Sequence, residues 1–369
     1  MLRNHARNDR RRRTAARGGF TLVEMLVVVM ILGLLSGMVL LALAGAGESA
    51  REARTRGQIQ KLHEFVMNRY ESYRTRRTPR PTTGNPRAAA TARVDNIRAL
   101  MLQELPDRRT DLATDHRSLA SDKYSATYAR HQRAIEAFTG NSGNWANAYA
   151  DWSPENQHAE CLYLILASIN DGDTNALDFL HDSEIGDTDG DGVPEVLDGW
   201  GNPIMFLRWP QGYVGFESSL QDIRVFDAFD PLRTRTPLES GSGGAQRPTR
   251  HSSESPSPAE PIGFAHFNMT PLIVSAGKDG AFDIAGDQIA NAETAVEDYD
   301  RGTWIDLGGS GSELSYPTSP VDPYFSPASF TNSDGAVGVG VMFDVNDDGY
   351  DNTVDNISNH YLIVGGNAP

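Results

Sequence analysis

A single cysteine, Cys161, occurs among the 369 residues. No disulfide can form within the chain, so an exported domain must be held by its core or by a bound ion. Lysine is scarce, three residues against thirty arginines, and the nine histidines are scattered. Recognisable catalytic sets are absent too. There is no Gly-x-Ser-x-Gly elbow, no phosphate-cradling Gly-Lys-Ser/Thr loop and no His-Glu-x-x-His zinc helix. His158-Ala159-Glu160-Cys161 has a His-x-Glu spacing, but no Pro-Cys-x-x-Cys follows it, and it reads as a helix face. The expectation is that the chain is not an enzyme.

What is present is unevenly distributed. Residues 1–19 carry seven arginines and one acid, whereas 134–369 carry 37 acidic and eight basic side chains. An acidic distal half repels nucleic acid and attracts divalent cations, so no nucleic-acid partner is expected. The arginines at 74–80 read as a solvated or subunit-contacting loop.

Between these regions lies an apolar run from Phe20 to Ala46 whose one charge is Glu24. As a helix, residues 20–44 would span about 37 Å, against a hydrocarbon core of about 30 Å. A single-pass membrane helix over 20–46 follows, with the leader arginines holding the N-terminus in the cytoplasm and sending the head outward. A secretory signal is cut after its apolar stretch. Here a Gly18-Gly19 pair precedes it, followed by Phe20-Thr21-Leu22-Val23-Glu24. A carboxylate near the membrane interior costs about 2.5–3.5 kcal/mol unless a cation meets it.

That string resembles the signal of type IV prepilins and type II secretion pseudopilins. The resemblance implies that a prepilin peptidase cuts between Gly19 and Phe20, removes the leader 1–19 and methylates the new amine of Phe20. It also implies that Glu24 pairs with the N-terminal amine of a neighbouring subunit during assembly. Leu26, Val27, Val28 and Ile31 would then pack helix on helix, and Gly33 and Gly37 form a small-xxx-small pair that lets helices approach.

Beyond the membrane, Ile59, Leu62, Val66, Tyr70 and Tyr73 recur at helical steps, which continues the helix over 47–73. A loop or linker is expected over 74–92. A helical insertion is expected over 93–169, with one face of Val94, Ile97, Leu100, Met101 and Leu105. A second face has Tyr128, Ile135 and Phe138, and a third helix opens at Ser153-Pro154-Glu155 and runs through Cys161, Leu162, Leu164, Ile165 and Ile169. Residues 170–369 read as a β-rich head with strands at 203–208, 272–274, 337–343 and 361–364, and with a disordered insertion at 234–261. The fold class is α+β: a pilin-like long N-terminal helix packed on a small antiparallel sheet, with an inserted helical block and calcium-binding loops.

Two loops share one grammar. In 187–198, carboxylates Asp187, Asp189, Asp191 and Asp198 fall at positions one, three, five and twelve, with Gly192 at six and the carbonyl of Val193 at seven. In 344–355, Asp344, Asn346, Asp348 and Asp355 repeat the pattern, with Gly349 at six and Tyr350 at seven. Calcium takes six to eight oxygens at about 2.3–2.6 Å, and glycine permits the sharp turn that brings alternate side chains together. The expected cofactor is calcium. A third stretch, Ser275-Ala276-Gly277-Lys278-Asp279-Gly280, resembles the C-terminal calcium loop of major pseudopilins, which implies Asp279, Asp283 and Asp287 as weaker ligands. Asp198-Gly199-Trp200-Gly201-Asn202-Pro203 resembles that family's Asp-Pro-Trp-Gly-Asn-Pro turn, with Gly199 in place of the first proline.

The function expected is that of a structural subunit of a type II secretion pseudopilus or type IV pilus-like filament. Its partners would be prepilin peptidase, other pilin or pseudopilin subunits and the bacterial inner membrane, its head periplasmic or extracellular. The alternative is a minor pilin or adhesin-like binding module at a filament tip.

Overall fold

The computed structural model describes residues 21–79, 84–172, 174–213, 218, 220–222, 225–234, 267–280, 282, 284, 315–316, 321–324, 331–332, 335–336, 339–340 and 355–362. The chain divides into two units, residues 1–50 and 51–369. The first helix, α1, is Leu22–Ser72, 51 residues long, and it is the one described helix long and apolar enough to cross a membrane. In the first unit its apolar side chains, from Leu22 at 81% to Leu43 at 67%, are exposed all round.

In the second unit α1 changes character. Thr55, Gln58, Ile59, Leu62, Val66 and Tyr70 are buried at three- and four-residue intervals, a stripe facing a core. The polar members of the stripe find partners there: Gln58 Nε2 donates to Leu197 O at 2.8 Å, and Tyr70 OH donates to Met269 O at 3.0 Å. Four helices follow: α2 Pro86–Glu104, α3 Ala126–Phe138, α4 Trp145–Asp151 and α5 Gln157–Ser168.

Then come short strands: β1 Asn170–Asp171, β2 Thr174–Asn175, β3 Ile185–Gly186, β4 Glu195–Val196, β5 Ile204–Leu207, β6 Leu272–Ser275, β7 Thr331–Asn332, β8 Gly335–Ala336 and β9 Ile357–Ser358. The last described helix is α6, Asn359–Leu362. β1–β2, β3–β4 and β7–β8 are antiparallel pairs, and β5–β6–β9 is a three-stranded antiparallel sheet. In that sheet Met205 pairs with Val274, Phe206 with Ile273, and Ser275 with Ile357.

Because strand side chains alternate, this sheet serves two cores. Ile204, Phe206 and Ile273 join Ile59, Leu62 and Val66 of α1 and Leu162, Ile165 and Leu166 of α5. Met205, Leu207, Leu272 and Val274 face Tyr213, Phe282, Ile284 and Val339 on the other side. The helical block has a third cluster, in which Leu112, Tyr128, Ile135, Trp145 and Trp152 surround Cys161 and Leu164. α5 thus contributes to two clusters, and its Cys161 is buried. The architecture is α+β, a long apolar N-terminal helix with further helices and small antiparallel sheets.

Three expectations are corrected. The loop placed at 74–92 is shorter, because α2 starts at Pro86: Asn85 caps it by accepting from Arg87 N at 3.0 Å, and proline suits the first helical position. The third helix of the block opens at Gln157 rather than at Ser153. The strand at 361–364 is not formed at Tyr361 and Leu362, which lie in α6. The side chain of Asn359 takes over the pairing that a longer β9 would make, accepting from Ile273 N at 2.8 Å and donating to Pro271 O at 2.9 Å. Of 337–343, only Val339 and Gly340 are described, and they form a turn; residues 235–261 lie outside the described residues.

Candidate functional site

Gly19 and Phe20 lie outside the described residues. Glu24 sits in the first turn of α1. Its Oε2 accepts from Thr21 N at 2.8 Å and from Thr21 Oγ1 at 2.9 Å, while Glu24 N donates to Thr21 Oγ1 at 3.2 Å. This reciprocal pair is a capping box: within one chain, Glu24 satisfies Thr21 N and Thr21 satisfies Glu24 N, two backbone donors at the helix start.

The acidic loop at 187–194 closes the β3–β4 hairpin, in which Gly186 pairs with Glu195. Asp187 accepts from Gly190 N at 2.8 Å and from Gly192 N at 3.1 Å, and Asp191 accepts from Val193 N at 2.7 Å. These bonds curl the loop, with Asp189 and Asp191 half-buried and Asp187 exposed. Gly192 has φ +94°, and a Cβ there would lie 2.9 Å from Phe138 O, so both conformation and space require glycine. Val193 is fully buried in the core of the helical block.

The hairpin meets the start of α5. Ser153 N donates to Asp191 Oδ2 at 2.6 Å. Asn156, left-handed with φ 57°, reaches from the N-terminal end of α5 to Thr188 Oγ1 at 2.9 Å and Glu195 Oε1 at 3.2 Å. Trp152 Nε1 donates to Glu160 Oε2 at 2.6 Å. Two carboxylate triads result, Glu160–Asp189–Asp191 and Asp187–Asp189–Glu195. In each, one oxygen per residue lies within 4.8 Å of the others. Burial first, then crowding by Asp191 and Asp189, pushes the Glu160 carboxyl well above the usual carboxylate range. Burial also raises Asp189, Asp191 and Glu195.

An all-oxygen donor set suits a hard cation such as calcium. Two oxygens on one calcium can be at most about 5 Å apart, twice the metal–oxygen distance, and the triads meet that limit. Of the residues expected from the sequence, Asp189 meets Asp191 in one triad and Asp187 in the other. Asp198 does not join them: its Oδ1 accepts from Trp200 N at 2.8 Å and Asn202 N at 2.9 Å, and its Oδ2 from Ser275 Oγ at 2.6 Å. The reason is the strand. A loop that closes a hairpin carries its twelfth position away along β4, where an EF-hand would return it through a helix.

Glu160 and Glu195 were not anticipated. Glu195 holds position nine of the loop, where a further oxygen fits the same grammar. Glu160 is a carboxylate on the buried face of α5, between Gln157 and Leu164, and such a charge on an apolar face is a readable signal.

Of the second loop, Asp344, Asn346, Asp348 and Tyr350 lie outside the described residues. Asp355 turns to the third stretch, its Oδ2 accepting from Lys278 N at 2.9 Å and Asp279 N at 3.3 Å. Asp283 and Asp287 also lie outside the described residues.

Residues 14–40 match the family model described as the prokaryotic N-terminal methylation motif. The motif supports a type IV pilin-like class for this chain, with processing by a prepilin peptidase and association with other pilin-like subunits. With the apolar helix at the N-terminus, it is consistent with anchoring in an inner membrane. No curated protein and no solved structure matches the chain.

Proposed function

We propose that this protein is a structural subunit of a type II secretion pseudopilus or type IV pilus-like filament, with calcium stabilising its head. The observation that carries the reading is the methylation motif running into a helix whose apolar residues are exposed on every side. A helix of that kind is covered either by lipid or by others of its own sort. Glu24, which caps its own helix, presents a carboxylate that the amine of a neighbouring Phe20 neutralises on assembly. The role is structural rather than enzymatic.

A second reading, a minor pilin or adhesin-like module at a filament tip, draws on the helical block with its own core around Trp145 and Trp152. Copy number relative to the major subunit separates the two readings.

The test is Glu24→Gln. This variant keeps the side chain's shape and removes its charge. It is expected to be cut and methylated at Phe20, as read by mass spectrometry of the mature N-terminus, yet to form no filaments in sheared fractions or by electron microscopy. Normal filaments from this variant, or protein that keeps residues 1–19 in cells with active peptidase, would overturn the reading.

A further inference from the structure

We infer that the β3–β4 hairpin and the buried start of α5 together form one calcium site, with Glu160 supplying a ligand from the helix and Asp189 and Asp191 supplying theirs from the loop. This rests on the reading of calcium as the ion that stabilises the head. It moves the site from a contiguous loop to a contact between two elements, so that the ion fastens α5 to the hairpin.

Two unsatisfied atoms point to it. Glu160 is fully buried, and its Oε1 has no hydrogen-bond partner; Asp189 Oδ2 is likewise buried without one. A buried carboxylate oxygen left unpaired is costly, and an ion that accepts its lone pair removes the cost. The other oxygen of each residue is already oriented, Glu160 Oε2 by Trp152 Nε1 at 2.6 Å and Asp189 Oδ1 by Asp191 N at 3.3 Å. Asp191 is held at both oxygens, by Val193 N and Ser153 N, and a carboxylate so held keeps lone pairs for a metal.

The second triad plays an outer part. Glu195 already accepts from Thr188 N at 2.7 Å, Thr188 Oγ1 at 2.8 Å and Asn156 Nδ2 at 3.2 Å. Asp187 is committed to Gly190 N and Gly192 N. Both shape the loop that presents Asp189. Every hydrogen-bond partner described for these five carboxylates is a neutral dipole (backbone N–H, hydroxyl, carboxamide or indole), so the charge on the cluster calls for a cation from outside. No histidine or cysteine belongs to either triad, which favours calcium over zinc.

Glu160→Gln and Asp189→Asn in the full-length, detergent-solubilised chain test this, with Asp355→Asn as the comparison at the other acidic turn. Chelator-stripped protein is titrated with Ca2+ by calorimetry and melted with and without it, and Tb3+ luminescence is read on indole excitation. Trp152 touches Glu160, so Tb3+ at this site is sensitised by that ring.

Glu160→Gln is expected to weaken Ca2+ binding at least about tenfold and to lose the sensitised signal. Its calcium-free melting temperature should rise, because an amide relieves the crowding of carboxylates. Asp189→Asn should likewise weaken binding, and Asp355→Asn should leave the sensitised signal intact. Unchanged Ca2+ affinity in Glu160→Gln and Asp189→Asn would overturn the ligand assignment while leaving calcium as the stabilising ion. A lower calcium-free melting temperature in Glu160→Gln with unchanged affinity would make Glu160 a packing residue and also overturn it. Wild-type protein indifferent to Ca2+ in all three readouts would remove both this inference and calcium from the proposed function. The Glu24 test of assembly would stand apart from that outcome.

Discussion

Residues 22–50 and 51–72 belong to one unbroken helix and are built for different surroundings. In the first stretch, Leu26, Ile31, Leu35 and Val39 are between 53% and 63% exposed; in the second, Ile59 and Val66 are at 0% and Leu62 at 1%. The backbone geometry is the same. The difference lies in how apolar residues are arranged: all round the axis in the first, along one stripe in the second. An all-round pattern suits lipid or a bundle of like helices, while a stripe suits the core of the protein's own head.

Matched truncations break or sharpen this contrast. Leu62→Ala should cost the head about 2–5 kcal/mol, the range for deleting a buried leucine side chain. Leu32→Ala, in the all-round stretch, should leave the head's melting temperature unchanged. Thermal denaturation of the two variants in detergent decides it; equal shifts would mean that both stretches face the same kind of core.

The next effect comes from a close approach of α1 to the turn at Gly199. Gly199 N donates to Thr55 Oγ1 at 2.9 Å, and a Cβ at Gly199 would lie 2.8 Å from both Arg51 O and Thr55 Oγ1. Gly199→Ala should therefore destabilise the head by about 1–3 kcal/mol, as overpacking does. A proline there would also lack the donor that Thr55 accepts. A neutral alanine variant would show that α1 can slide away from the turn at no cost.

Titration gives the smallest effect near neutral pH, and it acts on the head alone, since residues 22–50 contain no histidine. Burial holds His131 and His360 down to about 4, against an ordinary value of 6.5. At these two positions the unfolded chain binds more protons between those values, so the contribution of each histidine to stability is full above pH 6.5 and declines as pH falls toward 4. Down to about pH 6 the loss is within ~1 kcal/mol per histidine. His360 faces Ser218 Oγ at 2.6 Å, Pro271 O at 3.2 Å and the ring of Tyr213, with His63 the nearby titrating group. His360→Gln should flatten part of the slope in melting temperature against pH; an unchanged slope would assign it elsewhere.

Much of this was legible residue by residue. The stripe of Ile59, Leu62, Val66 and Tyr70 could be read because helix period and burial are both local to α1. Ile204–Leu207 and Leu272–Ser275 were legible as short apolar runs between turn residues. The start of α2 is spelled by the capped beginning Asn85-Pro86, but Pro79 and Pro81 give the same neighbourhood the signature of a loop. Tyr361 and Leu362 looked extended because the hydrogen bonds that Asn359 makes to a distant strand do not show in sequence spacing.

The sequence by itself determined the apolar helical start of the protein, its glutamate and the alternation of acids in the 187–198 loop, because each depends on neighbours a few positions apart. Tertiary structure alone decided which acids meet. Pairing of β3 with β4 carries Asp198 off to Ser275, and packing of α5 beside the hairpin brings Glu160 to Asp189 and Asp191. Such convergence is set by register and packing between segments far apart in the chain, and no local spacing encodes it.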